Sequence, residues 1–107
     1  MTDKESILRF IGLAKRAGRL ESGTDSVISS LRTGKAKLLI AATDVSSKTV
    51  LKVTENVTFD IPMYRFATMD ELGMAIGSPP RGILAVTDDG FAKGLDKKLT
   101  DYEEDDN

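Results

Sequence analysis

Apolar residues recur at helical spacing across residues 5–17, where Ile7, Leu8, Phe10, Ile11, Leu13, Ala14 and Ala17 form a wide stripe ending at Gly18. Arg9, Gly12, Arg16 and Arg19 fall on the opposite side. This pattern predicts an amphipathic helix. A short extended piece over 19–22 then meets Gly23, and 25–33 reads as a second helix with Val27, Ile28 and Leu31 inward and Gly34 just past its end. The pentad LLIAA at 38–42 is apolar throughout, as in a strand covered on both faces of a parallel or mixed sheet.

Residues 46–56 are less clear, because Val50, Val53 and Val57 fit either period; Asp44, Val45 and Ser46 offer helix caps, so a helix is expected. Residues 63–66 behind Pro62 read as a short strand. Thr68 and Glu71 have capping-box spacing and predict a helix that buries Leu72, Ala75 and Ile76 and stops at Gly77, with Pro79 and Pro80 enforcing the stop. A second buried strand is expected at 83–86. Asp88 or Asp89 then caps a last helix in which Phe91, Leu95 and Leu99 recur every four residues. Strict alternation of helix and strand implies an α/β protein, a three-layer α/β/α sandwich formed by one domain over 1–99.

Composition narrows the chemistry. The chain has 107 residues, enough for one core, and neither Cys nor His. That removes a disulfide, a thiolate nucleophile, an imidazole base and the usual zinc site. The net charge of −2 hides an asymmetry, since residues 1–52 carry +5 and residues 53–107 carry −7. Five acids crowd into 100–107, so that segment reads as an acidic, flexible tail, and the rest of the chain has a net charge of +3. A polyanionic partner therefore remains compatible with the low isoelectric point. The first residues lack the features of a secretory signal and no apolar run approaches a membrane span, so a cytoplasmic protein without a membrane partner is expected.

Three places offer chemistry. At Gly23, Thr24, Asp25 and Ser26 a strand turns into a helix, whose free amides and dipole can bind phosphate; the plainer reading is a helix capped by its own Thr24 or Asp25. Lys15, Arg16 and Arg19 precede this turn and Arg32, Lys35 and Lys37 follow the helix, which together suggest one basic rim. Asp44, Asp88 and Asp89 each follow a buried strand and, if they converge at one sheet edge, compose a Mg²⁺ or phosphoryl site; as caps of the following helices they need no metal. Pro79, Pro80 and Arg81 lie in a stiff loop that either meets a partner or only separates helix from strand. Phosphate-cradling GxxxxGK[ST] and dinucleotide GxGxxG patterns are absent, which leaves an NTPase or a dehydrogenase unsupported.

The run Gly-Leu-Ala-Lys-Arg-Ala-Gly at 12–18, Ser22-Gly23 followed by Leu-Arg-Thr-Gly-Lys-Ala-Lys-Leu at 31–38, Ala-Thr-Asp-Val-Ser at 42–46, Glu71-Leu72-Gly73 and Ala75-Ile76-Gly77 resemble the bacterial YlxQ-like group of the ribosomal protein L7Ae/L30e superfamily. The resemblance spans about residues 7–95. It implies a mixed four-stranded sheet between helices and binding of kink-turn RNA. In RNA-binding members a Gly-Thr-Asn-Glu-x-x-Lys turn opens the second helix, its Asn and Glu on sheared G·A pairs and its Lys on the backbone. Here Gly23 and Thr24 match, whereas Asp25, Ser26 and Ser29 replace Asn, Glu and Lys. Asp25 cannot donate as Asn does, and losing the Lys removes a phosphate contact, so binding weaker than in archaeal relatives, or aimed at a different RNA, is expected. The resemblance also places the loop containing Pro79, Pro80 and Arg81 on an extruded base.

The combined reading is a non-catalytic, monomeric RNA-binding protein without cofactor or small-molecule substrate, recognising a kink-turn or internally looped RNA by shape. Gly23, Thr24, Asp25, Ser26 and Ser29 form its centre, with Arg16, Arg19, Arg32, Lys35 and Lys37 on phosphates and Pro79, Pro80 and Arg81 on the flipped base. The alternative is a ribosome-associated protein-interaction module that keeps the fold without the RNA contacts.

Overall fold

The computed structural model describes residues 3–105. Its elements run α1 (Lys4–Arg16), β1 (Leu20–Ser22), α2 (Thr24–Arg32), β2 (Leu38–Ala41), α3 (Ser47–Thr54), β3 (Met63–Arg65), α4 (Met69–Ile76), β4 (Ile83–Val86) and α5 (Asp89–Asp105). The predicted alternation is realised element for element. The four strands make one mixed sheet in the order β1-β4-β2-β3. β4 runs antiparallel to both β1 and β2, while β3 is parallel to β2.

Every position of β2 and β4 is buried. Both faces of this central pair must therefore be covered. Helix α1 packs with α4 and α5 in one layer, and α2 with α3 in the other. Ile7 and Ile11 of α1, Leu72 of α4, and Leu95 and Leu99 of α5 are sealed from solvent, as are Val27 and Leu31 of α2 and Val53 of α3. No helix among the described residues is long and apolar enough to cross a membrane.

The α1–α4 contact depends on missing side chains. A Cβ at Gly12 would lie 2.8 Å from the Ala75 carbonyl oxygen, and one at Gly73 would lie 2.5 Å from the Pro79 carbonyl oxygen. Gly73 thus lets the 77–82 loop fold flat against α4. The N-terminus of α4 has the full capping box: Thr68 Oγ1 accepts from the Glu71 amide at 3.2 Å, and Glu71 accepts from the Thr68 amide at 2.9 Å. Glu71 also meets Lys4 at 2.7 Å, tying the start of α1 to α4. Lys4 and then the Thr68 amide hold the Glu71 carboxyl below its ordinary value.

Gly12, expected with the arginines on the polar side of α1, is buried against α4, and two further expectations differ from the structure. The last helix does not end near Leu99: it continues to Asp105, so the segment expected to be a flexible tail from residue 100 is helical over 100–105, and residues 106–107 lie outside the described residues. Tyr102, inside the acidic run, explains this, because it extends the Leu95–Leu99 stripe and sets its ring edge-on against Phe66 at 5.4 Å. The neighbouring Thr100 hydroxyl lies 2.9 Å from that of Tyr64, which also donates to the Asp96 carboxylate. Secondly, Asp44 does not cap α3. Ser46 does, accepting from the Thr49 amide at 3.2 Å, and Asp44 instead accepts from the Met69 amide of α4 at 2.8 Å.

Replacing Gly73 by Ala should lower stability by about 2 kcal/mol, because the added methyl meets backbone that cannot yield. Met74→Ala, next to it but 81 % exposed, should stay within about 0.5 kcal/mol; urea unfolding midpoints separate the two. Glu71 gives a pH signature. Its folded-state pKa is depressed, so its stabilisation is complete above the unfolded value near 4.5 and is lost as pH falls through the lower folded value. The melting temperature of Glu71→Gln should lie below that of the native chain at pH 7, and the gap should close as pH drops below the carboxylate range; a gap constant down to pH 3 contradicts this role.

Candidate functional site

Gly23 is the hinge between β1 and α2. Its φ of +92° lies where side chains are strained, although a Cβ there would meet nothing within 4 Å, so the requirement for glycine is conformational. Its amide donates to the Ile83 carbonyl at 3.1 Å and its carbonyl accepts from the Val27 amide at 3.0 Å. The start of α2 is thereby bolted to the first residue of β4, where the 77–82 loop arrives. Neither Thr24 nor Asp25 caps the helix; among the described residues no side chain does. The other four helices are capped by Asp3, Ser46, Thr68 and Asp88. The first-turn amides of α2 therefore have no side-chain partner among the described residues, with the positive end of the helix dipole behind them.

Helix α2 is flanked by two grooves. The first, of about 600 Å³, is lined by Gly18, Arg19, Glu21, Asp25, Ser26, Ser29, Ser30, Thr33, Lys35 and Thr87. Arg19 is fixed there through its backbone, its amide on the Ala14 carbonyl and its carbonyl on the Thr87 amide, both at 2.9 Å. Lys35 is placed by its amide on the Ser30 carbonyl at 2.9 Å. The second groove, about 470 Å³, lies toward α3 and is lined by Asp25, Ile28, Ser29, Arg32, Thr33 and Lys52. Lys52 escaped the sequence reading; the only signal for it is the four-residue spacing of Lys48 and Lys52 on the exposed side of α3.

The structure brings Arg19, Asp25, Ser26, Ser29, Arg32 and Lys35 around α2 beside Gly23 and Thr24. Three cations expected on the same rim stand apart from it, the first being Lys15, which lies in the last turn of α1 and lines neither groove. Arg16 closes α1 and lines neither groove, and Lys37 shares a shallow cleft with Pro62, Asp89, Ala92, Lys93 and Asp96 next to α5. Lys37 opens β2 with its amide on the Val86 carbonyl at 2.7 Å, at the end of β4 where α5 begins.

Pro79 and Pro80 are exposed, and the loop holding them is braced. The Ser78 hydroxyl donates to the Pro79 carbonyl at 2.8 Å, the Arg81 amide to the Met69 carbonyl at 3.1 Å, and the Gly82 carbonyl accepts from the Ala42 amide at 2.8 Å. Arg81 is half-buried, and its Nε is enclosed without a hydrogen-bond partner.

The acidic trio does not assemble. Because β2 and β4 are antiparallel, with Ala41 opposite Ile83 and Leu38 opposite Val86, the residues after each strand emerge at opposite ends of the sheet. Asp44 thus sits at one end and Asp88 with Asp89 at the other. Asp88 caps α5, accepting from the Phe91 amide at 2.9 Å. Among the described residues no group of three or more acids, His or Cys could hold a metal ion.

The family model described as "Ribosomal protein L7Ae/L30e/S12e/Gadd45 family" matches residues 5–95. The RNA-binding protein YlxQ of Bacillus subtilis is 41 % identical over 87 residues, covering 80 % of this chain and 87 % of that protein. Large ribosomal subunit protein eL30 of Candida glabrata is 36 % identical over 90 residues, covering 81 % and 86 %. A solved structure of a Bacillus halodurans protein of unknown function superimposes with a TM-score of 0.82 at 29 % identity, covering 88 % of this chain and 96 % of that one. The Giardia lamblia 15.5kD RNA binding protein shares the fold, with a TM-score of 0.68 at 16 % identity over 91 % and 84 %. With the hinge at Gly23, the mixed sheet and these likenesses together, the chain belongs to the ribosomal protein L7Ae/L30e/S12e/Gadd45 family.

Proposed function

We propose that this chain is a non-catalytic, cytoplasmic RNA-binding protein, acting as a monomer, that recognises a kink-turn or similar internally looped RNA by shape and phosphate contacts. The observation that carries this reading is the uncapped start of α2, which presents free amides between cation-lined grooves and next to the exposed Pro79–Pro80 edge. A bent RNA laid over this end meets backbone donors at Thr24, Asp25 and Ser26, charge from Arg19 and Lys35, and an apolar ledge for an unstacked base. The names of the relatives support the same class of ligand, since YlxQ of Bacillus subtilis and of Enterococcus faecium are both RNA-binding proteins.

Asp25 works against binding in this arrangement. Its exposed carboxylate borders both grooves, close to where phosphates would lie, and it accepts hydrogen bonds without donating any. A weak native complex and a stronger one for the neutral variant follow.

Fluorescence anisotropy with a labelled kink-turn oligonucleotide and an unkinked duplex should show salt-dependent binding that favours the kinked RNA. Arg19→Glu should weaken it about tenfold or more at 0.1 M salt and flatten the dependence of log K on log salt. Asp25→Asn should tighten it several-fold. Equal binding of both RNAs removes the shape claim. A flat titration in dilute buffer, with ribosomes or a protein partner co-purifying, favours instead an interaction module that has lost its RNA contacts.

A further inference from the structure

Asp25, Ser29 and Thr33 follow one another at four-residue spacing along α2, and all three line both grooves. The exposed edge of the helix is therefore a ridge between two furrows. A helix is about 10–12 Å across with its side chains, so a ligand bound in one furrow does not fill the other. The first furrow has Arg19 and Lys35, and the second has Arg32 and Lys52.

The second furrow is built in a way the first is not. Arg32 Nε donates to Asn56 Oδ1 at 3.0 Å, and Asn56 Nδ2 donates to the Lys52 carbonyl at 3.0 Å. Asn56 thus ties the guanidinium of α2 to the last turn of α3 and leaves its terminal nitrogens without a hydrogen-bond partner among the described residues. Among the described residues no carboxylate forms an ion pair with Arg32 or Lys52. Val53, fully buried beside Lys52, locks the backbone that carries this lysine. Ser29 and Thr33 are short, so the ridge between the furrows stays low. A planar fork held by one nitrogen, next to a compact ammonium, suits the non-bridging oxygens of a phosphodiester. Because the fork is already tethered, little rotamer entropy is lost when it engages.

We infer that α3 contributes a second phosphate-binding flank, in which Lys52 and the Asn56-tethered Arg32 hold an RNA strand on the far side of α2 from Arg19 and Lys35. This rests on the RNA-binding reading above and adds to it a second strand and a helix outside the hinge. RNA with two backbones near α2 bridges the ridge. RNA reaching only the first furrow forfeits half the charge contacts.

The test is anisotropy of the intact chain with the labelled kink-turn oligonucleotide at several salt concentrations, folding of each variant being checked by thermal melting. Lys52→Glu should weaken binding about tenfold at 0.1 M salt, and Lys52→Ala should lower the slope of log K against log salt by roughly 0.7–0.9, one phosphate contact. Asn56→Ala, which keeps every charge, should reduce affinity and leave that slope unchanged, marking Asn56 as a positioning residue. Lys93→Glu on α5 should bind within about twofold of the native chain. If Lys52→Glu also binds within about twofold while Arg19→Glu loses affinity, the α3 flank is refuted and the RNA reading stands. If the native chain itself gives a flat titration, both fall together.

Discussion

Burial of both faces of β2 and β4 is the constraint from which the rest follows. Strands of four residues with no solvent side must be covered above and below, so the chain sends α1, α4 and α5 to one layer and α2 and α3 to the other, and the antiparallel register then decides what each end of the sheet carries. Residues that follow β2 and residues that follow β4 cannot meet. Residues that precede β4 and follow β1 must meet, and this brings Gly23 and the Pro79–Gly82 stretch to one edge. The functional end of the molecule is a consequence of strand direction more than of any single contact.

Much of this was legible in the chain before the structure. The LLIAA pentad and the second apolar run at 83–86 marked the buried strands, Thr68 with Glu71 marked a helix start down to its reciprocal hydrogen bonds, and Gly23 marked the turn into α2. What could not be read depends on relations between elements. Lys37 and Arg32 are both cations near the end of α2, but only the sheet register sends one toward α5 and leaves the other between α2 and α3. Asp44 looked like a cap for the helix just after it, whereas its oxygen serves α4, 25 residues further on. The acidic ending hid an apolar anchor, because one Tyr among five acids is outweighed in any local reading and not in a packed interface.

The relation between α2 and its neighbours shows how a small domain can leave a helix end open without loosening it. Four helices satisfy their first turns with side chains, and α2 relies on Gly23, which bonds on both sides through its backbone alone. Rigidity and availability are separated: the glycine's own groups are consumed, and the amides after it are not. The departures at Asp25, Ser26 and Ser29 from the resembled turn change side chains on this frame and leave the frame as it is. Affinity at such an end is tuned by the charges around it, while placement is set by the sheet.

Helix α5 lies in the layer opposite α2 and α3, and its sequence from Asp89 to Asp105 has twice as many acids as lysines. These acids are consequently kept in the layer that the α2 grooves do not reach. A polyanion that approaches along α5 is repelled by these carboxylates before it touches. The acids of α5 need not contact a ligand to matter: they make the wrong orientation short-lived.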